Sequence, residues 1–159
     1  MTAIYFIATP EPMIRSMIVS RPSLFGCRPY LYDADVELLC VRPREEFIDI
    51  ETYTLSDLDR IMKGHIYTFD RGSGYLLSYK KCGRGYYKKR MREFMMFIEF
   101  LKRHVDEFGE IFYTWQRMGE QSYADSVEIR KMHIGDLRYG PGVDEFSFDI
   151  DVIYHFVKG

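Results

Sequence analysis

The stretch YYKKRMREFMMFIEFLKRHVDEF, residues 86–108, decides how this chain folds. Met91, Phe94, Met95, Ile98, Leu101, Val105 and Phe108 recur every three or four residues, so the spacing predicts a helix with one apolar side. Gly109 follows directly, where helices commonly stop. An apolar stripe of this length must lie on another layer, and the flanking sequence supplies strands for it.

Downstream, Glu110–Arg117 reads as a strand carrying Trp115. Ser126–Ile134 reads as another, and its apolar phase shifts between Ile129 and Met132, as at a β-bulge. Gly140, Pro141 and Gly142 mark a turn. A final strand then alternates, with Phe146, Phe148, Ile150, Val152, Tyr154 and Phe156 on one side and Asp149, Asp151 and His155 on the other.

Upstream, Ala3–Ala8 reads as a buried strand, broken by Thr9-Pro10-Glu11-Pro12. Met13, Ile14, Met17 and Ile18 have helical spacing, and that helix should stop before Pro22. Residues 23–29 read as a loop. Tyr30–Val41 and Phe47–Tyr53 read as a hairpin. Thr54-Leu55-Ser56-Asp57 opens a second short helix through Leu58, Ile61 and Met62, capped by Gly64. His65–Phe69 and Tyr75–Tyr79 flank Asp70-Arg71-Gly72-Ser73-Gly74 as a second hairpin.

The order is β-α-β-β-α-β-β-α-β-β-β. Short turns between strands predict an α+β fold: a mainly antiparallel sheet with one long amphipathic helix (about 86–108) and two short helices packed on it. At 159 residues the whole chain, 1–159, is expected to be a single domain. A domain of this size buries about 70% of its unfolded surface, so it needs no metal or disulfide to fold.

Composition removes several function classes. Cys27, Cys40 and Cys82 are an odd number without a C-x-x-C pair, so a disulfide framework or structural zinc is not expected. Unpaired thiols fit a reducing compartment, and the cytoplasm is the expected location. The apolar run Ala3–Ala8 has no basic residues before it, unlike a secretory leader. No stretch approaches the ~18 apolar residues of a membrane span. No Walker A loop and no G-x-S-x-G serine is present, and no cofactor is implied.

Charge is the functional signal. Residues 80–92 hold 7 of the 22 Lys and Arg and no acid, leaving 15 basic against 24 acidic residues elsewhere. Lys80, Lys81, Arg84, Lys88, Lys89 and Arg92, with Tyr86 and Tyr87, are the candidate anion- or nucleic-acid-binding residues, with Tyr79 as a further ring for base stacking. Cations crowding a helix N-terminus are disfavoured by roughly 0.3–1 kcal/mol each, and an external anion would relieve that. The plain alternative is a solvated face screened by salt.

The acids form the complementary candidate. Asp33, Asp35, Glu37, Glu45, Glu46, Asp49 and Glu51 follow one another closely and would suit docking on a basic protein. Small proteins that inhibit nucleases or confer immunity to toxins combine this size and charge with an absence of catalytic motifs. A lesser alternative is a Mg²⁺ site on Asp149 and Asp151, joined by Glu128 or His133, for phosphoryl transfer or nucleic-acid hydrolysis. D-x-D is a weak signal in any wet strand, and Arg130 stands where a nuclease E-x-K would have lysine. His65, His104, His133 and His155 are scattered and read as surface or hydrogen-bonded residues, with His104 placed to complement the helix dipole. Cys82 reads as an exposed thiol. The sequence therefore predicts an intracellular, non-catalytic protein that binds a protein partner by charge-guided docking, with RNA or DNA binding by residues 80–92 as the alternative.

Overall fold

The computed structural model describes residues 3–12, 18–23, 26–31, 41–43, 61–69, 78–117 and 128–159. Along them run β1 (Ala3–Thr9), β2 (Ile18–Ser23), β3 (Gly26–Leu31), β4 (Val41–Pro43), β5 (His65–Phe69), β6 (Ser78–Lys80), α1 (Arg84–Phe108), β7 (Glu110–Arg117), β8 (Glu128–His133), β9 (Glu145–Ser147) and β10 (Val152–Val157). A 3-10 turn at Ile134–Asp136 follows β8.

Six strands form one sheet in the order β4-β5-β1-β7-β10-β8. The central strands β1, β7 and β10 are apolar on both sides, which is the pattern of strands covered on both faces. On β1, Ile7 faces one way and Phe6 and Ala8 the other, and all three are buried. The first face joins Tyr67, Ile111, Tyr113, Tyr154 and Phe156 to the apolar side of α1. The second face gathers Phe6, Ala8, Met62, Ile66, Phe112 and Ile153. A side chain fully buried in this way contributes about 1.5–3 kcal/mol, so two covered faces dominate the stability of the sheet.

The long helix matches its expected limits, starting at Arg84 and ending at Gly109, whose N–H donates to Val105 O (2.8 Å). Its buried side is wider than the expected stripe. Phe97, Phe100 and His104 join Met91, Phe94, Ile98, Leu101 and Val105 in the interior, whereas Met95 is 37% exposed. Counting apolar residues by spacing could not separate the flank that meets the sheet from the flank that meets water.

The sheet is mixed. β1 pairs antiparallel with β5 and β7, β7 with β10 and β4 with β5, but β8 runs parallel to β10. The expectation of a mainly antiparallel sheet built from short turns is amended accordingly. Parallel neighbours need a long connection, and the segment 134–151 between β8 and β10 supplies it. The β8–β10 register runs unbroken from Glu128↔Val152 to His133↔Val157, so the phase shift is not a bulge. Instead Met132 packs against the helix-side core, while Ile129, next to buried Ile153 on the other face, is 52% exposed.

Other connections also differ from the sequence reading. Residues 23–29, read as a loop, belong largely to a β2–β3 ribbon with Pro22 opposite Cys27 and Pro29 opposite Ser20. Proline suits such a ribbon because both its strands are edges. Ile18 opens β2 and so does not belong to a first short helix; the rest of that stretch, 13–17, lies outside the described residues. Of the second short helix, Ile61 is helical and residues 54–60 lie outside the described ones. Met62 packs on the sheet face opposite α1, so this segment does not rest against the long helix. The hairpin through 47–53 and the turn 70–74 also lie outside the described residues. The expected pairing of β5 with β6 does not form, because β4 and β1 occupy both edges of β5. β6 pairs instead with β9, far along the chain.

The final alternating strand is two strands. A turn at Ile150–Asp151 separates β9 from β10, and Asp151 adopts φ 61° there. Its N–H donates to Trp115 O (2.9 Å), while Trp115 Nε1 donates to Phe148 O (2.9 Å), which ties the turn to β7. No described helix is long and apolar enough to cross a membrane.

Candidate docking surface

The basic segment spans three structural contexts. Lys80 ends β6, residues 81–83 bridge to the helix, and Arg84 begins α1. β6 is held to β9 by antiparallel pairing, continued by Lys81 N–H donating to Asp144 O (2.8 Å). That pairing places Lys80 Nζ 3.8 Å from Glu145 and Lys81 Nζ 3.6 Å from Asp144. All four side chains are well exposed, so each pair contributes at most about 1 kcal/mol and exchanges readily with solvent or a competing ion.

Gly83 precedes the helix with φ 66° and ψ 158°, and no side chain caps the first turn. The left-handed backbone turns the chain from β6 into α1 at a residue without a Cβ. Because α1 begins at Arg84, its first turn carries that cation and no acid. Lys88, Lys89, Arg90 and Arg92 fall in later turns, beyond the range over which the helix dipole acts strongly. The expected conflict between these charges and the dipole is therefore smaller than the sequence suggested. Lys88 and Arg92 are exposed, and among the described residues no ion pair joins either of them. Tyr86 and Tyr87 lie in the first turn of α1. Tyr79 does not serve as a stacking platform: it is 2% exposed, edge-on to Phe94 (5.3 Å), and its hydroxyl accepts the Gly140 N–H (2.8 Å).

Between the β6–β9 ribbon and the early turns of α1 lies an open pocket of about 460 Å³. Lys80, Cys82, Arg90 and Glu145 supply its polar rim, Ser78 and Ser147 its hydroxyls, and Tyr79 and Phe146 its apolar wall. The Cys82 thiol is exposed and free. Sequence reasoning named Lys80 and Tyr79, noted Cys82 and counted Arg90 in the basic run, but did not bring them together with Ser78, Glu145, Phe146 and Ser147 as a site. The β6–β9 contact joins residues more than 60 positions apart, and no local pattern announces it.

No known family, curated protein or solved structure matches this chain. What the surface can do therefore rests on its own chemistry.

The acidic candidates Asp33, Asp35, Glu37, Glu45, Glu46, Asp49 and Glu51 lie outside the described residues. The acids near the C-terminal end are described, and they do not form a separate acidic face. Asp144 and Glu145 are interleaved with Lys81 and Lys80, giving a surface of mixed sign.

Two of the carboxylates proposed for Mg²⁺, Glu128 and Asp149, are arranged around an arginine. Arg130 reaches Glu128 (2.7 Å) and Asp149 (2.9 Å), and its guanidinium lies over the Tyr154 ring (5.5 Å). Asp149 and Asp151 do not project from one side of a continuous strand, because the turn intervenes. Among the described residues no three His, Cys, Asp or Glu are grouped to hold a metal ion. His155 stacks on Phe112 (4.2 Å) and bonds Glu110 (2.5 Å). His133 is exposed, 3.4 Å from Val157 O, and His65 is exposed on β5. His104 is buried rather than poised at the helix end; its Nδ1 donates to Phe100 O (2.8 Å).

Among the described residues, Tyr154 and Lys102 bear on the alkaline behaviour. Burial pushes the Tyr154 hydroxyl above its ordinary 10.0, outweighing the Asp149 N–H (2.8 Å) that lowers it. The hydrogen bond from Lys102 to Tyr139 (3.0 Å) is the largest cause raising its ammonium above 10.5. Both folded-state values lie above the unfolded ones, so their stabilisation is complete below the ordinary values and is lost as pH rises through the folded ones. The melting temperature is expected to fall above pH 10.0, and less steeply in Tyr154→Phe. Parallel profiles for the two proteins in thermal melts would contradict this role of Tyr154.

Proposed function

We propose that this chain is a non-catalytic binding protein that docks on a protein partner by charge complementarity, through the surface where β6 and β9 meet α1. The observation that carries the reading is the interleaving of Lys80 and Lys81 with Glu145 and Asp144; Lys88 and Arg92 add exposed cations on the helix that follows. A nucleic-acid backbone is negative throughout, and two carboxylates inside the contact area would oppose it. A protein surface can present both signs and match the mosaic, which raises association rate and specificity. The arrangement thus favours a protein over RNA or DNA as the partner. An inhibitor or immunity-type factor acting in the cytoplasm fits this mode, because occupying a partner's surface requires no chemistry of its own.

The test separates the two partners. RNA and DNA of mixed sequence are expected to bind weakly or not at all at low salt, where the phosphate contribution is largest. Lys88→Glu/Arg92→Glu is expected to lose the protein that co-purifies with wild type while keeping the wild-type melting temperature. Tight nucleic-acid binding that weakens steeply with salt and disappears in the double variant would overturn the reading.

A further inference from the structure

We infer that a second copy of this chain pairs with the edge of the main sheet, β8 against β8 in antiparallel register about a two-fold axis at Ile129. The contact uses none of the residues assigned above to docking on a partner, so it goes beyond that reading.

Among the described strands, β4 and β8 end the sheet. β4 is three residues long and closes with Pro43, which lacks the N–H that a further strand would use. β8 is six residues long, contains no proline and keeps unbroken register with β10 from Glu128 to His133. Such an edge is a template on which another strand can add. Ile129 marks where cover is missing. Its neighbour Ile153 on β10 is fully buried (0% exposed), while Ile129 is 52% exposed, so the apolar row runs off the sheet edge into solvent.

The charges choose both the occupant and the register. In a two-fold pair the same patch meets itself, and the residue on the axis lies opposite its own copy. With Ile129 on the axis the two isoleucines face each other, and Glu128 of each chain lies opposite Arg130 of the other. Glu128 and Arg130 share one face of β8, where Arg130 reaches Glu128 (2.7 Å) and Asp149 (2.9 Å). A guanidinium has five N–H donors, enough to take the second glutamate without releasing either carboxylate. Axes at Glu128, Arg130 or Lys131 place like charges directly opposite each other, which is unfavourable. Axes at Met132 or His133 leave Ile129 without an opposite residue, because β8 ends at His133. The chain thus supplies the matched isoleucine and the reciprocal charges itself, which singles out a second copy over a strand of another protein.

Sedimentation equilibrium at low salt over a dilution series is expected to show the wild-type chain passing from its 19.0 kDa mass to twice that mass. Ile129→Lys places two ammonium groups at the axis, and Glu128→Arg makes both cross-strand pairs repulsive. Each should weaken the dimer by about tenfold or more while keeping the wild-type circular dichroism, since both side chains are exposed. Arg130→Glu should weaken it likewise. Mixing Glu128→Arg with Arg130→Glu puts a glutamate opposite every arginine again, so the mixture should dimerise about tenfold or more tightly than either variant alone. Because Arg130→Glu also gives up Asp149, a second measurement leaves the charges of 128 and 130 untouched. Under mild copper-phenanthroline oxidation, Ile129→Cys should form an interchain disulfide at residue 129, located by peptide mass mapping, because directly opposed Cβ atoms lie about 4.5–5.5 Å apart. Lys131→Cys should not link at residue 131, since two residue rises on either side of the axis put its copies about 14 Å apart.

A wild-type chain that stays monomeric at every concentration, a dimer that withstands Ile129→Lys and Glu128→Arg, or cross-linking as ready at residue 131 as at 129 would each overturn the inference. The docking reading is separable, because it is tested by Lys88 and Arg92. Loss of the co-purifying protein in Lys88→Glu/Arg92→Glu from a wild-type chain that does not self-associate would leave docking in place and remove the β8 contact.

Discussion

Gly64→Ala is expected to destabilise the fold by about 3 kcal/mol or more, although it adds one methyl group. Gly64 has φ +106°, a conformation that side chains resist, and a Cβ there would sit 2.1 Å from Thr9 O and 2.8 Å from Thr9 C. These are backbone atoms of β1, which cannot swing aside. Strained backbone costs about 1–3 kcal/mol, and forced overpacking adds about 1–3 kcal/mol. The substitution also presses on the point where β5 begins its pairing, because Thr9 lies opposite His65. Gly135→Ala is the control: nothing lies within 4 Å of its added Cβ, so its effect should stay within about 0.5 kcal/mol. Urea unfolding checks both, and a Gly64→Ala midpoint equal to wild type would refute the close approach of residue 64 to β1.

Phe148→Ala should cost about 3–5 kcal/mol, a large share of the 5–15 kcal/mol that holds a domain together. Phe148 is 1% exposed and is the ring where the β6–β9 ribbon, α1 and the main sheet meet. It contacts Phe146 (5.0 Å), Tyr113 (4.9 Å), Tyr154 (5.0 Å), Phe94 (6.1 Å) and Phe156 (6.3 Å). Removing it leaves a cavity bordered by rigid rings, which collapse poorly, so the loss should fall near the upper end. The same variant should loosen the ribbon from the helix and speed alkylation of Cys82 under native conditions. A loss of less than about 1 kcal/mol would mean that these rings do not form one packed unit.

How much of this was legible in the sequence follows from the range of each signal. The 3–4 spacing through Met91, Phe94, Ile98, Leu101 and Val105 is local, and it located α1 to within two residues. Glu110–Arg117 was legible for the same reason, as a run bounded by Gly109. The final strand was misread as continuous because Phe146–Phe156 keeps its alternation across the turn at Ile150–Asp151. No glycine marks that turn, since Asp151 itself takes the positive φ. Pairing lay beyond local reading. Nothing near Ser78–Lys80 points to Glu145–Ser147, so the pocket and its charge mosaic became visible only with the fold.

The charge argument shows the same division. The bunching of cations in residues 80–92, with no acid among them, was plain in the sequence. Asp144 and Glu145 were equally plain, but their arrival beside Lys81 and Lys80 depends on the β6–β9 pairing. That one contact puts carboxylates among the cations, which is the ground for proposing a protein rather than a nucleic acid as the partner. Likewise Arg130 between Glu128 and Asp149 turns a pair of candidate metal ligands into partners of a guanidinium.

Native mass spectrometry of the protein isolated from its own cells, at low and at raised salt, tests the central claim most directly. Charge-guided docking on a protein predicts a stoichiometric complex with one protein species at low salt that dissociates as salt rises. A chain that carries nucleic acid, or that stays free of any partner at every salt concentration, would contradict it.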